Sequence, residues 1–499
     1  MPVRGAWSGV KRLGFSTLAA IPSRISRPRY DVAGLGVGIV HLGLGNFHRA
    51  HQAVYTDLAL DDAGGDWGIC GVSLHTPQTA AVLGGQDGLY TVATKEGGRE
   101  PELRIVGAVR QTLFAPREMS RVLAALADPR VKLVTLTITE KGYCHRPTTA
   151  ALDPEHPGIR HDLLQPEQPV TALGVLAAGL RQRRGGGAPM TIISCDNLQS
   201  NGRVLRTVLL DFVALQDPAL ASWIADTVAF PCSTVDRIVP SPTSAGRAEI
   251  DTQLGCEDHA SVVCEPFTQW FIENRFATEH PAWDRAGVCF VDDVEPYERL
   301  KLRLLNGTHS ALAYLGCLAG YPTIAAAASD PLFEAFANSL IAESATTFVM
   351  PPGVVFDVYR RELLRRFGNP ALRHTTLQVA MDGSRKLPPR LLAPIRDRLR
   401  HGEELSWLAL AVAAWMRFVM GRDDAGTALD LSDPMAGELR RIADEARDLD
   451  TYAERIFAIE VIFGNDLGRD PRFREPVMAW LRRLAGEGVR ATLSAALQR

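Results

Sequence analysis

The sequence predicts an α/β domain built on a mostly parallel sheet, followed by a mainly α-helical domain. In residues 37–292, short apolar runs typical of buried strands alternate with helical patterns, and this alternation indicates a parallel sheet. After residue 321, apolar residues recur at intervals of three and four, as they do along packed helices. A chain of 499 residues is also longer than one hydrophobic core usually serves.

The composition excludes several classes of protein. A net charge of -3 gives no electrostatic basis for binding nucleic acid or an anionic membrane, and no apolar run reaches the roughly 20 residues of a membrane helix. Eight cysteines without a C-x-x-C pair argue against a zinc site or a disulfide framework, so we expect no metal and a cytoplasmic location. Residues 1–30 hold six Lys or Arg and no acid, and we interpret them as a partly ordered arm.

The first strand of the predicted sheet leads into a glycine turn and a helix. The sequence from Val37 is VGIVHLGLGNFHRAHQAVYTDLAL, with Gly43 and Gly45 in the turn. Glycines let backbone approach a pyrophosphate, and a helix N-terminus supplies free N–H donors, so the pattern predicts a Rossmann-type dinucleotide-binding unit. The usual third glycine position holds His48, and an ordinary tight turn is the alternative.

Polar clusters follow three of the predicted strands. The strands are residues 37–43, 131–139 and 190–194, and the clusters are His48 with Arg49, residues 139–142 and residues 195–197. Ligands of parallel sheets bind beyond the carboxyl ends of the strands, so the three clusters favour a ligand site over three unrelated turns.

The end of the second strand leaves the choice between NAD and NADP open. An NAD-binding unit usually has an acidic residue there for the ribose 2′-hydroxyl, whereas an arginine accommodates a 2′-phosphate. This sequence has Ser73, Leu74 and His75 at that place.

One long helix, predicted over residues 297–320, carries Lys301, Asn306 and His309 among apolar residues. On an α-helix, Asn306 lies about 140° and His309 about 80° round from Lys301, so all three share a face. Hydride removal from a carbinol needs a base for the hydroxyl proton and donors for the developing alkoxide. Lys301 is the candidate base, with Asn306, His309 and the strand-end Asn197 as donors. A solvated stripe is the alternative.

Two further polar segments have a structural and a functional interpretation. Asp236 and Arg237 lie between apolar neighbours, either as a structural ion pair or as part of the site. Residues 369–390 are predicted to be a non-helical insert in the helical domain. That insert contains His374, Arg385 and Lys386, which are either a polar connection or a substrate-binding group.

Seven blocks in the chain resemble the mannitol dehydrogenase family of long-chain polyol dehydrogenases. They are GIVHLGLGNFHRAHQAVYTD (38–57), LTITEKGY (136–143), SCDNLQSNG (194–202), VDRIVP (235–240), CEPFTQW (264–270), KLRLLNGTHSALAYLG (301–316) and VAMDGSRKLPPR (379–390). The resemblance covers nearly the whole chain. It implies a Rossmann-type N-terminal domain, a mainly helical C-terminal domain and metal-independent hydride transfer in a cleft.

The resemblance also implies the domain bounds and the roles of residues. We expect an arm over residues 1–35, a dinucleotide-binding domain over 36–293 and a substrate and catalytic domain over 294–499. Lys301 matches the general base, Asn197 and Asn306 the carbonyl-polarising amides, His309 the substrate-orienting histidine and Glu298 a carboxylate for proton escape. The cofactor-binding residues expected are Gly43, Gly45, Phe47, His48, Arg49, Lys141 and Asp236, and the substrate-binding ones are His374, Arg385 and Lys386.

The function expected is NAD-dependent interconversion of a sugar alcohol and a ketose, with D-mannitol and D-fructose as the leading pair. The alternative pair is D-mannonate and D-fructuronate, whose carboxylate favours an extra cation such as Arg373, Arg385 or Lys386. A catalytically silent dinucleotide-binding sensor is the alternative of another class, and the complete set of Asn197, Lys301, Asn306 and His309 argues against it. We expect a small-molecule sugar alcohol or aldonate as partner, no nucleic acid or membrane, and a monomer or small homo-oligomer.

Overall fold

The computed structural model describes residues 11–146 and 150–498. It divides the chain into two compact units, Met1–Glu295 and Pro296–Arg499. The first unit is α/β and the second is mainly α-helical, so the predicted fold class is confirmed.

The first unit is built on a six-stranded sheet in which all paired strands are parallel. The order is β5-β2-β1-β6-β7-β8, and the two smaller sheets are ordered β10-β3-β4 and β12-β11-β9. The strands are β1 (Val37–Leu42), β2 (Gly68–Ser73), β3 (Tyr90–Thr94), β4 (Glu102–Val106), β5 (Val109–Phe114), β6 (Leu133–Leu136), β7 (Met190–Ser194), β8 (Val228–Ala229), β9 (Ser233–Asp236), β10 (Val262–Cys264), β11 (Gln269–Glu273) and β12 (Cys289–Val291).

The strands of the central sheet are buried on both faces, because helices pack against each side of the sheet. The helices of the first unit are α1 (Phe15–Leu18), α2 (Asn46–Ala50), α3 (Gln52–Ala63), α4 (Gln78–Gly84), α5 (Ala115–Ala127), α6 (Pro157–Leu164), α7 (Ala172–Arg184), α8 (Asn201–Ala214), α9 (Pro218–Thr227) and α10 (Ser244–Leu254). Because β2 and β6 both pair with β1 in parallel, the carboxyl ends of these three strands lie side by side. The predicted nucleotide turn begins at this edge of the sheet.

The smaller sheets correct the sequence interpretation in two places. The apolar pattern of residues 262–271 predicts one further strand, but this segment forms β10 and β11 in different sheets, because Pro266 interrupts the run and cannot donate to a ladder. Strands β3 to β5 were not predicted. The apolar pattern of β4 and β5, which lie at sheet edges, is interrupted by charged residues. These are Glu102, Arg104 and Arg110.

Residues 11–35 have little regular structure, yet their apolar side chains are buried in the first unit. Leu13, Ile21 and Ile25 pack with Leu103 and Ile105 of the β10-β3-β4 sheet. The other ten residues of the predicted arm, 1–10, lie outside the described residues.

The second unit consists of helices around a core that includes the fully apolar faces of α12 and α19. The helices are α11 (Glu295–Leu300), α12 (Gly307–Leu318), α13 (Ile324–Ala328), α14 (Pro331–Ala345), α15 (Phe356–Phe367), α16 (Thr376–Ala380), α17 (Gly383–Leu387), α18 (Ala393–Arg400), α19 (Trp407–Val419), α20 (Ala436–Glu445), α21 (Leu449–Phe457), α22 (Glu460–Leu467) and α23 (Pro471–Ala496). Two π-helices, Lys301–Asn306 and Pro388–Leu392, join α11 to α12 and α17 to α18.

The prediction of a non-helical insert over residues 369–390 is wrong. This segment contains a 3₁₀ turn, α16, α17 and the start of the second π-helix. Each helix is only about a turn long and begins after a polar cap such as Thr375, so the sequence shows turn residues but no sustained period. Within the described part of the chain, no helix combines the length and the apolarity that crossing a membrane requires.

Candidate active site

A cavity of about 640 Å³ lies beyond the carboxyl ends of β1, β2 and β6. Its wall includes three of the predicted cofactor residues, Gly43, Gly45 and Lys141. The other lining residues are Leu44, Ser73, Leu74, His75, Thr76, Thr79, Thr137, Ile138, Thr139, Gly142, Cys144, His156, Gly158, Val170, Thr171 and Ala172.

Gly43 is required by the close approach of two backbone segments. Its φ is +103°, and a Cβ added there would lie 2.1 Å from the carbonyl oxygen of Thr137. The Gly43 N–H donates to Val72 O at 2.9 Å, and the Thr137 hydroxyl donates to Gly43 O at 2.7 Å. Gly45 is exposed, and the nearest atom to a Cβ placed on it is 3.8 Å away. A bulky anion can therefore approach its backbone, and the cavity fits the pyrophosphate of a dinucleotide.

His48 and Arg49 lie beneath this turn, in the interior of the first unit. His48 is fully buried and stacks on His41, with ring centroids 3.4 Å apart. Arg49 donates to the carbonyl oxygen of Ala260 and, at 2.5 Å, to Oδ1 of Asn46. The structure thus places these two side chains as supports of the turn, while neither they nor Phe47 is among the residues that line the cavity.

His41 and His48 are neutral at ordinary pH. Burial lowers the pKa of His41 to about 3, and burial together with the neighbouring His41 lowers the pKa of His48 well below its usual value. A neutral His41 can donate from Nε2 to Gly43 O, 3.0 Å away, while Nδ1 accepts from the Thr135 hydroxyl at 2.8 Å. The imidazole therefore joins the glycine turn to β6.

Asp196, which sequence reasoning grouped with the polar strand ends without giving it a role, holds one wall of the cavity. Its carboxylate accepts from the N–H groups of Ile138 (3.0 Å) and Thr139 (2.9 Å) and from the hydroxyl of Tyr143 (2.8 Å). Thr139 has a φ of 64°, which for a β-branched residue costs roughly 1–3 kcal/mol and persists only where neighbours enforce it. Asp196 also directly precedes Asn197, which is exposed after β7.

Asp236 and Arg237 stand near the same region without lining the cavity. Asp236 is buried at the end of β9. Arg237 donates to the carbonyl oxygens of Ala50 (2.6 Å) and Glu265 (3.1 Å), so it braces the end of α2. The cofactor role of Asp236 stays a prediction.

In the second unit, Lys301, Asn306 and His309 are brought together by a π-helix. The Gly307 N–H bonds to Leu302 O, five residues back, as π-helical geometry requires. The prediction of one regular α-helix is therefore wrong over Lys301–Asn306. The wider turn places Asn306 about one turn above Lys301, and His309 follows one α-helical turn later. All three side chains are buried.

Two arginines hold the π-helix. Arg303 donates to the Asp397 carboxylate at 2.6 Å and to the Thr347 hydroxyl at 2.7 Å. Arg390, in the second π-helix, donates to the Ser310 hydroxyl at 3.0 Å and to Asn306 O at 3.4 Å. Irregular turns leave backbone carbonyls short of donors, and Arg390 supplies one at the residue where the π-helix ends.

His309 lies in a cationic environment. Its ring stacks on Phe367 at 5.3 Å and meets the edge of His374 at 5.1 Å. Burial holds the pKa of His309 well below its usual value, and nearby basic groups lower it further. These groups are His374, Arg390, Arg366 and Lys386. A neutral imidazole here can hydrogen-bond a hydroxyl or carbonyl oxygen.

The remaining predicted residues divide by exposure. Glu298 is buried one turn before Lys301, and Lys386 is half-buried with its ammonium donating to Val379 O at 3.2 Å. Arg373 and Arg385 are exposed. The structure thus places His374 and Lys386 near His309. Arg385 is not among the groups that lower the pKa of His309.

Comparison with known proteins follows the same division of the chain. Residues 37–285 match the mannitol dehydrogenase Rossmann domain, and residues 293–485 match the mannitol dehydrogenase C-terminal domain. The chain belongs to the mannitol dehydrogenase family.

Three members of the mannitol dehydrogenase family illustrate the range of relatives. The D-mannonate oxidoreductase of Escherichia coli K12 is 43% identical over 477 residues, covering 94% of this chain and 98% of that protein. The mannitol 2-dehydrogenase of Phaeosphaeria nodorum is 38% identical over 481 residues, covering 94% and 83%. The solved ternary complex of Pseudomonas fluorescens mannitol 2-dehydrogenase with NAD and D-mannitol has a TM-score of 0.89 and 37% identity, covering 98% of this chain and all of that one.

Asp196→Asn is expected to loosen the cavity wall. The amide offers one acceptor oxygen and sets an NH₂ group against backbone donors, which costs about 1–3 kcal/mol for a buried polar group. Hydrogen exchange should show protection lost at Ile138 and Thr139, by roughly tenfold or more. Asp226→Asn, at an exposed position on α9, is the control. Unchanged protection of residues 137–143 in Asp196→Asn would contradict the assignment.

The buried imidazole of His41 predicts that acid destabilises the first unit. Below pH 6.5, the ordinary pKa of histidine, His41 is protonated in the unfolded chain. In the folded protein it stays neutral down to about pH 3. The free energy of unfolding should therefore fall by about 1.4 kcal/mol per pH unit below pH 6 on account of this residue, and be unaffected by it above pH 7. Urea unfolding of His41→Gln at about pH 7 and pH 5 should show a shallower loss than the parent chain. The same slope in His41→Gln as in the exposed control His401→Gln would refute this origin.

Proposed function

We propose that the protein is an NAD-dependent, metal-independent oxidoreductase that interconverts a secondary alcohol of an acyclic sugar alcohol with the corresponding ketone, using Lys301 as general base. The buried set of Lys301, Asn306 and His309, aligned by the π-helix, carries this proposal. It combines a proton acceptor with two groups able to hydrogen-bond the oxygen of a carbinol.

The cavity beside Gly43 and Gly45 supports the choice of cofactor. Its glycine backbone is open to a pyrophosphate, and the Pseudomonas fluorescens relative binds NAD. When bound, NAD accepts the hydride that leaves the substrate carbon. Lys141, exposed on the cavity wall, is the candidate for pairing with a phosphate.

The chemistry required of the second unit is proton transfer. The hydroxyl proton of the substrate passes to the amine of Lys301, while the amide of Asn306 donates to the oxygen as it gains negative charge. The neutral imidazole of His309 fixes the orientation of the substrate by a further hydrogen bond. Glu298, buried one turn before Lys301, is suited to take up the proton afterwards, and Asn197 is proposed to polarise the carbonyl.

The substrate pair proposed first is D-mannitol and D-fructose, in line with the relatives named mannitol 2-dehydrogenase. One observation favours the alternative pair, D-mannonate and D-fructuronate. Arg366, Lys386 and Arg390 place cationic charge around His309, and a carboxylate is the substrate group that such charge stabilises. A relative with 43% identity is a D-mannonate oxidoreductase.

Lys301→Ala should lower kcat by about a thousandfold, because general-base catalysis typically contributes 10²- to 10⁴-fold. Binding of NADH, measured by fluorescence titration, should change by less than about twofold, since the nucleotide cavity is lined by first-unit residues. Lys95→Ala, which removes a lysine paired with Glu249 at the surface of the first unit, is the matched control. Full turnover in Lys301→Ala would exclude Lys301 as the base.

A substrate panel combined with Lys386→Met separates the two substrate pairs. If a carboxylate binds near His309, kcat/KM should be higher for fructuronate than for fructose, and Lys386→Met should lower that preference by about tenfold or more. If the substrate is a polyol, fructose should be preferred and the ratio should not move. Arg361→Met, at an exposed position on α15, is the control. Reduction of neither ketose would contradict both pairs.

A further inference from the structure

A second cavity adjoins the nucleotide cavity at the end of β2. It has a volume of about 600 Å³ and shares Leu74, His75 and Val170 with the first cavity. The rest of its wall consists of Ala115, Pro116, Arg117, Met119, Ser120, His161, Gln168, Pro169 and Val175. The two cavities are therefore neighbouring compartments at the same edge of the sheet.

The position between them is where Rossmann-type units distinguish the two nicotinamide dinucleotides. A carboxylate after the second strand binds the ribose 2′-hydroxyl and repels a 2′-phosphate. Here β2 ends at Ser73, and Leu74 and His75 follow. Among the described residues that line either cavity there is no Asp or Glu. The feature that excludes NADP from an NAD site is thus missing from this wall.

Arg117 supplies a positive charge in its place. It is exposed in the first turn of α5, and its guanidinium lies 5.9 Å from the ring centroid of Phe114. The acid next to it, Glu118, pairs with Arg121 at 2.5 Å and accepts from the Phe114 N–H. Across residues 11–146 and 150–498, no carboxylate forms an ion pair with Arg117. Its planar fork of donors suits a phosphate monoester.

We propose that the second cavity binds the 2′-phosphate of NADP(H), with Arg117 as the ion-pair partner and Ser120 and His75 as further hydrogen-bond donors. The enzyme then uses both dinucleotides. This inference rests on the proposed function, since it assumes that the first cavity holds the rest of the dinucleotide.

Binding titrations with the intact protein test this assignment without using turnover. Quenching of protein fluorescence by NADH and by NADPH gives the two dissociation constants. The parent chain should bind both, and Arg117→Ala should weaken NADPH by about tenfold or more while changing NADH by less than about twofold. The control Arg121→Ala should leave the ratio of the two constants unchanged, since Arg121 is paired with Glu118 outside the cavity wall.

A gain-of-acid variant gives an independent measurement. Leu74→Asp should weaken NADPH and leave or tighten NADH, because it restores the carboxylate that favours a free 2′-hydroxyl. Calorimetry with adenosine 2′,5′-bisphosphate and ADP should repeat the Arg117 effect on the first ligand only.

The outcomes separate this inference from the proposed function. Binding of NADH without NADPH, or equal weakening of both in Arg117→Ala, overturns the 2′-phosphate site and leaves the proposed function standing. Binding of neither dinucleotide overturns both.

Discussion

The carbonyl oxygen of Thr137 occupies the space that a side chain at position 43 would need, and the nucleotide cavity depends on that contact. With glycine there, the turn after β1 passes directly over the end of β6, and the Thr137 hydroxyl and His41 bind the Gly43 carbonyl. Any Cβ would push the turn away from β6 and take Gly45 and the start of α2 with it. The strand order β2-β1-β6 then places the second-strand wall and the loop after β6 on opposite sides of the same opening.

In both units, the backbone departs from regular geometry where the predicted chemistry lies, and buried polar groups enforce the departure. Thr139 keeps a left-handed φ because Asp196 binds its N–H and that of Ile138. The π-helix persists because Arg303 anchors it to Asp397 and Arg390 bonds to its last carbonyl. The strain costs free energy, and the large α/β and helical cores are able to offset it.

Much of this arrangement could be predicted, because a buried strand, a glycine turn and an amphipathic helix each have a recognisable local sequence pattern. The strand β7 and the turn at Gly43 and Gly45 are examples. The π-helix could not, since a shift from i+4 to i+5 hydrogen bonds hardly alters the pattern of apolar residues over six positions. Arg117 has no such pattern, because it follows the end of β2 by some forty residues and reaches it only through the pairing of β2 with β5. The role of Asp196 is hidden for another reason, since a carboxylate after a strand usually indicates a turn.

Because of the π-helix, the alignment of Lys301 with Asn306 depends on the number of residues between them. A π-turn within an α-helix corresponds to one additional residue in the segment. Loss of one residue between positions 302 and 305 would restore regular α-helical hydrogen bonding and leave Asn306 four residues after Lys301, about 40° round the helix axis. If the segment instead relaxed to an α-helix with all its residues, Asn306 would lie about 140° round from Lys301. The additional residue and the wider turn therefore compensate each other, and a change in only one of them would separate the two side chains.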